Sequence, residues 1–162
     1  MKKSVPVLWI LLVAIAIAPS AVRADTASDE TAIRAMVHEM WKKVNAKKYD
    51  GTDLNPRGTW QATSQGGLWQ FVDREGQKTL INESPNTLNV AASHVEVTFL
   101  GSKRDAAYVN FYLTGSIKLP DGNTIPDYRT RASWAMEKVE GSWVVSGAHY
   151  SQLFGGSGVR FE

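Results

Sequence analysis

One stretch, Asp105 to Ser151, alternates polar and apolar residues for longer than any average strand lasts. Ala107, Val109, Phe111, Leu113, Ile117 and Leu119 fall on one side of the alternation; Tyr108, Asn110, Tyr112, Thr114, Ser116 and Lys118 fall on the other. A period of two is the signature of an extended strand, whose successive side chains point to opposite faces. Gly115 interrupts the apolar series and marks a bulge or bend. Asp121-Gly122 and Glu140-Gly141 then divide the stretch into three strands. Turns that tight join antiparallel neighbours only. A further run, His94 to Leu100, alternates in the same way, with Val95, Val97 and Phe99 on one face. Strands this long twist and curl rather than lie flat.

Upstream, Ile33, Met36, Val37, Met40, Trp41 and Val44 recur at helical spacing. They predict an amphipathic helix over Thr26 to Lys48, capped by Thr26 or Ser28. Asp29 and Glu30 suit its positive end; Lys42, Lys43, Lys47 and Lys48 suit its negative end. His38 falls opposite the stripe, in solvent. Tyr49 to Gly67 is turn-rich, with a short strand at Thr59 to Ala62. Leu68 to Val72 and Thr79 to Ile81 read as short strands around a turn at Asp73 to Gly76. Glu83 to Ala92 shows no clear period, and Ser84-Pro85 offers a helix start. The fold class is therefore α+β: a cone-like, curved antiparallel sheet packed against an N-terminal helix. One helix cannot cover the whole concave face, which leaves either a cavity or a surface for a second subunit.

The first 24 residues have a different character. Lys2 and Lys3 precede an apolar run from Val5 to Ala18, and Val22-Arg23-Ala24 places small residues at a cleavage site before Asp25. The run is short for a membrane span, which needs about 20 residues. The reading is a signal peptide over 1–24 and one domain over 25–162, periplasmic or secreted, with no stable membrane insertion after cleavage. Removing three of the 18 basic residues leaves 15 against 16 acids, a formal charge of −1. No basic run exceeds Lys47-Lys48, so no nucleic-acid partner is expected. The absence of cysteine excludes a thiol nucleophile and a thiolate metal site. His38, His94 and His149 are scattered without ligand spacing, so neither metal nor cofactor is expected. Gly155 to Gly158 follows a strand but opens no helix, and 155–162 reads as a glycine-rich tail.

Arg131-Ala132-Ser133, Glu140-Gly141-Ser142-Trp143 and His149-Tyr150-Ser151 resemble the closing hairpin of SnoaL-like proteins of the nuclear transport factor 2-like superfamily. There the pattern is Arg-x-Thr, a Gly turn, Trp, and His-x-Ser after it; here Ser133 stands in the Thr position. Val44 to Asp50 is similar to the end of that family's first helix. The resemblance implies a cone-shaped half-barrel with an internal pocket, often dimeric. The superfamily includes isomerases, dehydratases, cyclases, ligand-binding domains and assembly domains, so the fold alone sets no function. The family has further helices after the first, and none is visible between Gly51 and Gly67.

Aromatic walls with a few hydroxyls suit small organic ligands, and the same composition suits a homodimer contact. Trp41, Tyr112, Tyr128, Trp134 and Tyr150 are the candidate pocket aromatics. Arg131 joins them as a carboxylate selector, or else pairs at the surface with Glu96 or Glu137. His149 is the candidate catalytic residue, a general base with Tyr112 or Tyr128 as donor. A Ser151–His149 nucleophilic pair is excluded by spacing along one strand and by the lack of a third member. No acid reads as inward-facing, Asp127 lying at a strand start, which weakens an isomerase reading. Three functions follow: an exported small-molecule-binding protein, an isomerase or cyclase-like enzyme using His149, or a dimerisation domain. Intact-mass measurement on protein exported by an expressing bacterium is expected to show a chain beginning at Asp25. Recovery of the full chain would refute the leader.

Overall fold

The alternating stretch forms strands joined as its turns dictate. The structure is a computed structural model that describes residues 19–63 and 68–153. In chain order the elements are α1 (Pro19–Asn45), β1 (Thr59–Ala62), β2 (Gln70–Val72), α2 (Arg74–Asn82), β3 (Thr87–Leu100), β4 (Ala106–Lys118), β5 (Thr124–Val139) and β6 (Ser142–Gln152). The strands make one six-stranded curved sheet in the order β2-β1-β6-β5-β4-β3. The leader up to Ala18, the Gly66-Gly67 turn and the 155–162 tail lie outside the described residues. Among the described residues no helix is long and apolar enough to cross a membrane.

Register decides which residues share a face. Val109 lies opposite Trp134, Phe111 opposite Ala132 and Leu113 opposite Thr130; Tyr112 lies opposite Arg131 and Asn110 opposite Ser133. The first set is buried on the inner face and the second forms the outer face. Ile33, Val37, Met40 and Val44 of α1 are 0–6% exposed and join that inner face in one core. Trp134 is completely buried, edge-on to Phe111 with ring centroids 4.9 Å apart. Lys138 ties the other end of α1 to the sheet through Asp29, Nζ donating to both carboxylate oxygens at 2.8 and 3.0 Å.

Two irregularities bend the sheet. The pairing of β3 with β4 shifts between Ser93 and Glu96, where His94 takes a φ of 52°. The pairing of β4 with β5 shifts at Gly115, whose φ is +152°. Bulges of this kind kink a strand and increase its twist. A Cβ at Gly115 would sit 2.0 Å from the Asn89 carbonyl oxygen, so the neighbouring strand closes the position to every other residue.

The sheet is mixed, not wholly antiparallel. β1 runs parallel to β6, with Gln61 beside Ala148. The segment before β1 extends this seam: Asn55 N–H donates to the Val145 carbonyl at 2.9 Å, and Val145 N–H donates to the Asp53 carbonyl at 2.8 Å. The middle segment also differs from expectation. Residues 74–82 form α2 rather than a turn and a strand, capped by Asp73, whose side chain accepts from Gly76 N–H at 2.7 Å. Its only aliphatic side chains, Leu80 and Ile81, are adjacent in the sequence, so no apolar residue recurs a turn away to reveal a helical period. Residues 87–92, expected to be irregular or helical, extend β3. α1 begins upstream of Thr26 and Ser28, so neither caps it.

Side-chain amides join these pieces by imitating a strand. Asn45 donates to the Val90 carbonyl at 2.7 Å and accepts from Val90 N–H at 3.2 Å. Asn82, at the end of α2, does the same for Tyr49, both bonds 2.9 Å. α1 itself ends in a Schellman turn: Lys47 N–H donates to the Val44 carbonyl at 3.1 Å and Lys48 N–H to the Lys43 carbonyl at 2.9 Å. Lys47 takes the left-handed position of that turn, with φ 52°. Gly115→Ala is predicted to lower stability by roughly 3 kcal/mol through clash and backbone strain. Equilibrium urea unfolding measures it; a loss under about 0.5 kcal/mol, the size of an ordinary surface substitution, would contradict the close approach.

Candidate functional site

Where α1 ends, the inner face of the sheet is left uncovered and a cavity of about 260 Å³ opens. Met40, Trp41 and Val44 of α1 form one wall, and Leu80 and Ile81 of α2 another. Leu88, Ile117, Tyr128 and Tyr150 complete the apolar surface from β3, β4, β5 and β6. Gln61, Thr63, Gln77, Ser84, Asn86 and Lys47 supply the polar groups. Among the described residues the lining holds no carboxylate and no imidazole, and Lys47 is its one formal charge. The aromatic groups are fixed from behind. The Trp134 indole donates to the Tyr150 hydroxyl at 2.9 Å. Trp41 meets the Tyr150 ring edge-on, with centroids 6.0 Å apart at 86°. A wall held in place by packing and by a hydrogen bond loses little freedom when a ligand arrives.

Beneath this wall lies a group of buried ionisable side chains. Asp53 is 8% exposed and Tyr49 1%. Neither Asp53 oxygen nor the Tyr49 hydroxyl has a hydrogen-bond partner of normal geometry. Burial raises the Asp53 pKa; the Tyr49 hydroxyl, close enough to favour the ionised carboxylate, opposes this only in part. Burial also pushes the Tyr49 and Tyr150 hydroxyls up, and the Asp53 charge adds to both shifts. Burial therefore makes the charged form of each costlier than it is in water. A second hollow, about 400 Å³, is lined by Asp29, Met36, Glu39, Lys43, Asp53 and Trp143. Its other charges are matched: Asp29 by Lys138, Glu39 by Lys42 and Lys43 by Asp50.

The residues singled out in the sequence divide between the two faces. Trp41, Tyr128 and Tyr150 line the cavity. Trp134 lies behind it, wholly in the core. Tyr112 and Arg131 belong to the outer face, paired across β4 and β5, and are exposed. His149 is also outward and exposed, opposite Ser133, its ring 5.9 Å from that of Trp69. His149 and Tyr128 therefore lie on opposite faces of the sheet, and of its two candidate donors only Tyr112 shares the face of His149. Arg131 does not reach the cavity, and it is Arg57, not Arg131, that pairs with Glu137, at 2.9 Å. Asp53 is the inward acid that the sequence reading lacked. It lies in an irregular segment, where no periodicity signals an inward side chain.

The fold class is NTF2-like, the cystatin-like α+β architecture. No protein-family model matches the sequence, and no curated protein matches it. Among solved structures, the chain is similar to the hexachlorocyclohexane dehydrochlorinase LinA-type3 of Novosphingobium barchaimii LL02. The TM-score is 0.68 at 14% identity, covering 82% of this chain and 91% of that one. An NTF2-like protein with a cystatin-like fold from Novosphingobium aromaticivorans gives 0.62 at 14%, covering 85% and 90%. A ketosteroid isomerase-like protein from Erwinia carotovora atroseptica gives 0.59 at 12%, covering 74% and 91%. Identities this low carry the fold and nothing finer.

The buried acid makes a prediction of its own. Because the folded-state pKa of Asp53 is raised, the folded chain holds this proton more tightly than the unfolded chain does. That contribution is full below the unfolded carboxylate pKa and is lost as pH rises through the folded value. Asp53→Asn keeps the shape and removes the charge. It is expected to exceed wild type by about 1–3 kcal/mol near pH 7.5, with the gap closing towards pH 4. Thermal melts across that range test it, and a gap that does not shrink in acid would contradict the assignment.

Proposed function

We propose that this is an exported small-molecule-binding protein whose ligand occupies the cavity between the end of α1, α2 and the inner face of the sheet. The observation that carries the reading is the lining itself: Trp41, Tyr128 and Tyr150 with aliphatic side chains around them, and amides and hydroxyls at one side. Sites for small organic molecules have this constitution, a mainly apolar surface with a few placed polar groups. The volume, about 260 Å³, suits a compact ligand. Two solved neighbours are named for apolar ring compounds, hexachlorocyclohexane and ketosteroids, which is consistent with a pocket of this kind on this fold. Binding is favoured over catalysis because neither a carboxylate nor an imidazole, the commonest general bases, lines the cavity among the described residues. Asp53 lines the second hollow and not this cavity. The neutral probe N-phenyl-1-naphthylamine is expected to bind saturably, and Leu88→Trp, which fills the space, to weaken it at least tenfold with the circular dichroism unchanged. Absence of saturable binding, or indifference to the substitution, would refute the reading.

A second reading concerns the other face, and there we propose a homodimer. Trp60, Trp69 and Phe71 are 55–59% exposed, and Tyr108 and Tyr112 are each 42% exposed. Trp60 and Phe71 already meet edge-on at 5.5 Å, and His94 meets Tyr112 at 5.8 Å. Exposed aromatic surface of this extent marks an interaction site. Of the outer residues at its centre, Asn110, Tyr112, Ser133 and Arg131, only the Arg131 guanidinium carries a formal charge, so a copy of this face brings like charges together at that position alone. Tyr112→Glu is expected to weaken the dimer at least tenfold by light scattering over a concentration series. A wild-type chain that stays monomeric at high micromolar concentration would remove this reading.

A further inference from the structure

Lys47 is the one formal charge on the cavity wall; its neighbour Lys48 also makes no ion pair among the described residues but does not line the cavity. Lys42, Lys43, Lys78 and Lys138 each pair with a carboxylate. Lys47 makes no ion pair among the described residues; its ammonium donates to the backbone carbonyl of Ser84, across the cavity mouth. An ammonium has three donors, and this bond uses one. The side chain is half-buried, and the lining contains no acid to answer it.

The backbone adds a second observation. Lys47 occupies the left-handed position of the Schellman turn that ends α1, with φ 52°. Glycine is the residue that holds this position without a Cβ penalty. A lysine there strains the backbone and places an ammonium at the rim. Strain held at one residue beside a cavity is a pointer to what its side chain does there.

We infer that the ligand is an organic carboxylate, its apolar body against Trp41, Tyr128 and Tyr150 and its anionic group on the Lys47 ammonium. This rests on the cavity-binding reading and deepens it. A single ammonium matches a singly charged group. A phosphate carries nearly two charges and is usually met by several donors or an arginine fork, and the lining contains no arginine. Gln61, Gln77 and Asn86 bring neutral amides to the same cavity, so a carboxylate oxygen not held by Lys47 meets polar groups rather than hydrocarbon.

The test compares 2-naphthoate with the nearly isosteric, uncharged 2-naphthamide by calorimetry on the full chain. Wild type is expected to prefer the carboxylate by about tenfold or more, the size of one charge-assisted hydrogen bond. Lys47→Met, which keeps much of the stem, and Lys47→Gly, which also relieves the left-handed strain, should both abolish the preference. Binding of the amide should persist in both. Lys47→Gly should in addition melt above wild type, so loss of the preference cannot be assigned to misfolding. Equal binding of the two probes by wild type, or a preference that survives both substitutions, overturns the inference and leaves the cavity reading standing. If neither probe binds, both fall.

Discussion

The structure depends on one contact: the apolar stripe of α1 laid across the inner face of the sheet. Without it Trp134, Phe111 and Leu113 would face water, and each large side chain returned to solvent costs roughly 2–3 kcal/mol. The helix covers only part of what the strands present. β4 and β5 are longer than the stripe that meets them, and from α2 only Ile81 packs against the core. The cavity follows from this mismatch in length. It lies where one helix has ended and the next has not fully closed over the sheet. Its walls therefore come from elements far apart in the chain, and side-chain amides set their spacing: Asn45 fixes α1 to β3, and Asn82 fixes α2 to the chain after α1.

The core beneath the cavity is not optimised for stability alone. A carboxylic acid with no hydrogen-bond partner, beside a tyrosine hydroxyl with none, is a costly arrangement. Asp53 nevertheless does not open onto the aromatic cavity. The nearest polar group that does is the Tyr150 hydroxyl, already engaged with Trp134. Among the described residues the cavity surface carries phenols, amides, hydroxyls and one ammonium, and no carboxylate or imidazole. Electrostatic selection, where it enters, enters at the rim, at the single ammonium.

The sequence made the meander legible because its strands obey a strict period and its turns have defined chemistry. Gly115 was readable as a bulge, and Glu140-Gly141 as a turn, with φ of 50° and 82° in the structure. Sidedness was less readable. Tyr128 and Trp134 belong to the inner face and Tyr112 to the outer, although all three lie in aromatic, hydroxyl-bearing runs. The register of β4 on β5, which no single strand encodes, separates them: Tyr112 lies opposite Arg131, and Tyr128 opposite Gly115. α2 was missed for a different reason. Its core-facing side is shallow, and the cue that remained, Asp73 three residues before Gly76, is a local capping signal rather than a periodic one. Asp53 and Lys47 share a third difficulty. Both owe their placement to irregular backbone, in a loop and at a helix end, where side-chain direction follows from tertiary contacts.

The parallel pair of β1 with β6 bears on how the molecule reaches this state. Hairpins such as β5–β6 join residues close in the chain and can form early. The β1–β6 seam instead joins residues as distant as Thr59 and Val145, 86 positions apart, and loop-closure entropy opposes it until much else is in place. Gln61 reaches the cavity only through that seam. The cavity is thus bounded by a segment whose closure is entropically dear, and a ligand held there, as proposed, would stabilise that segment.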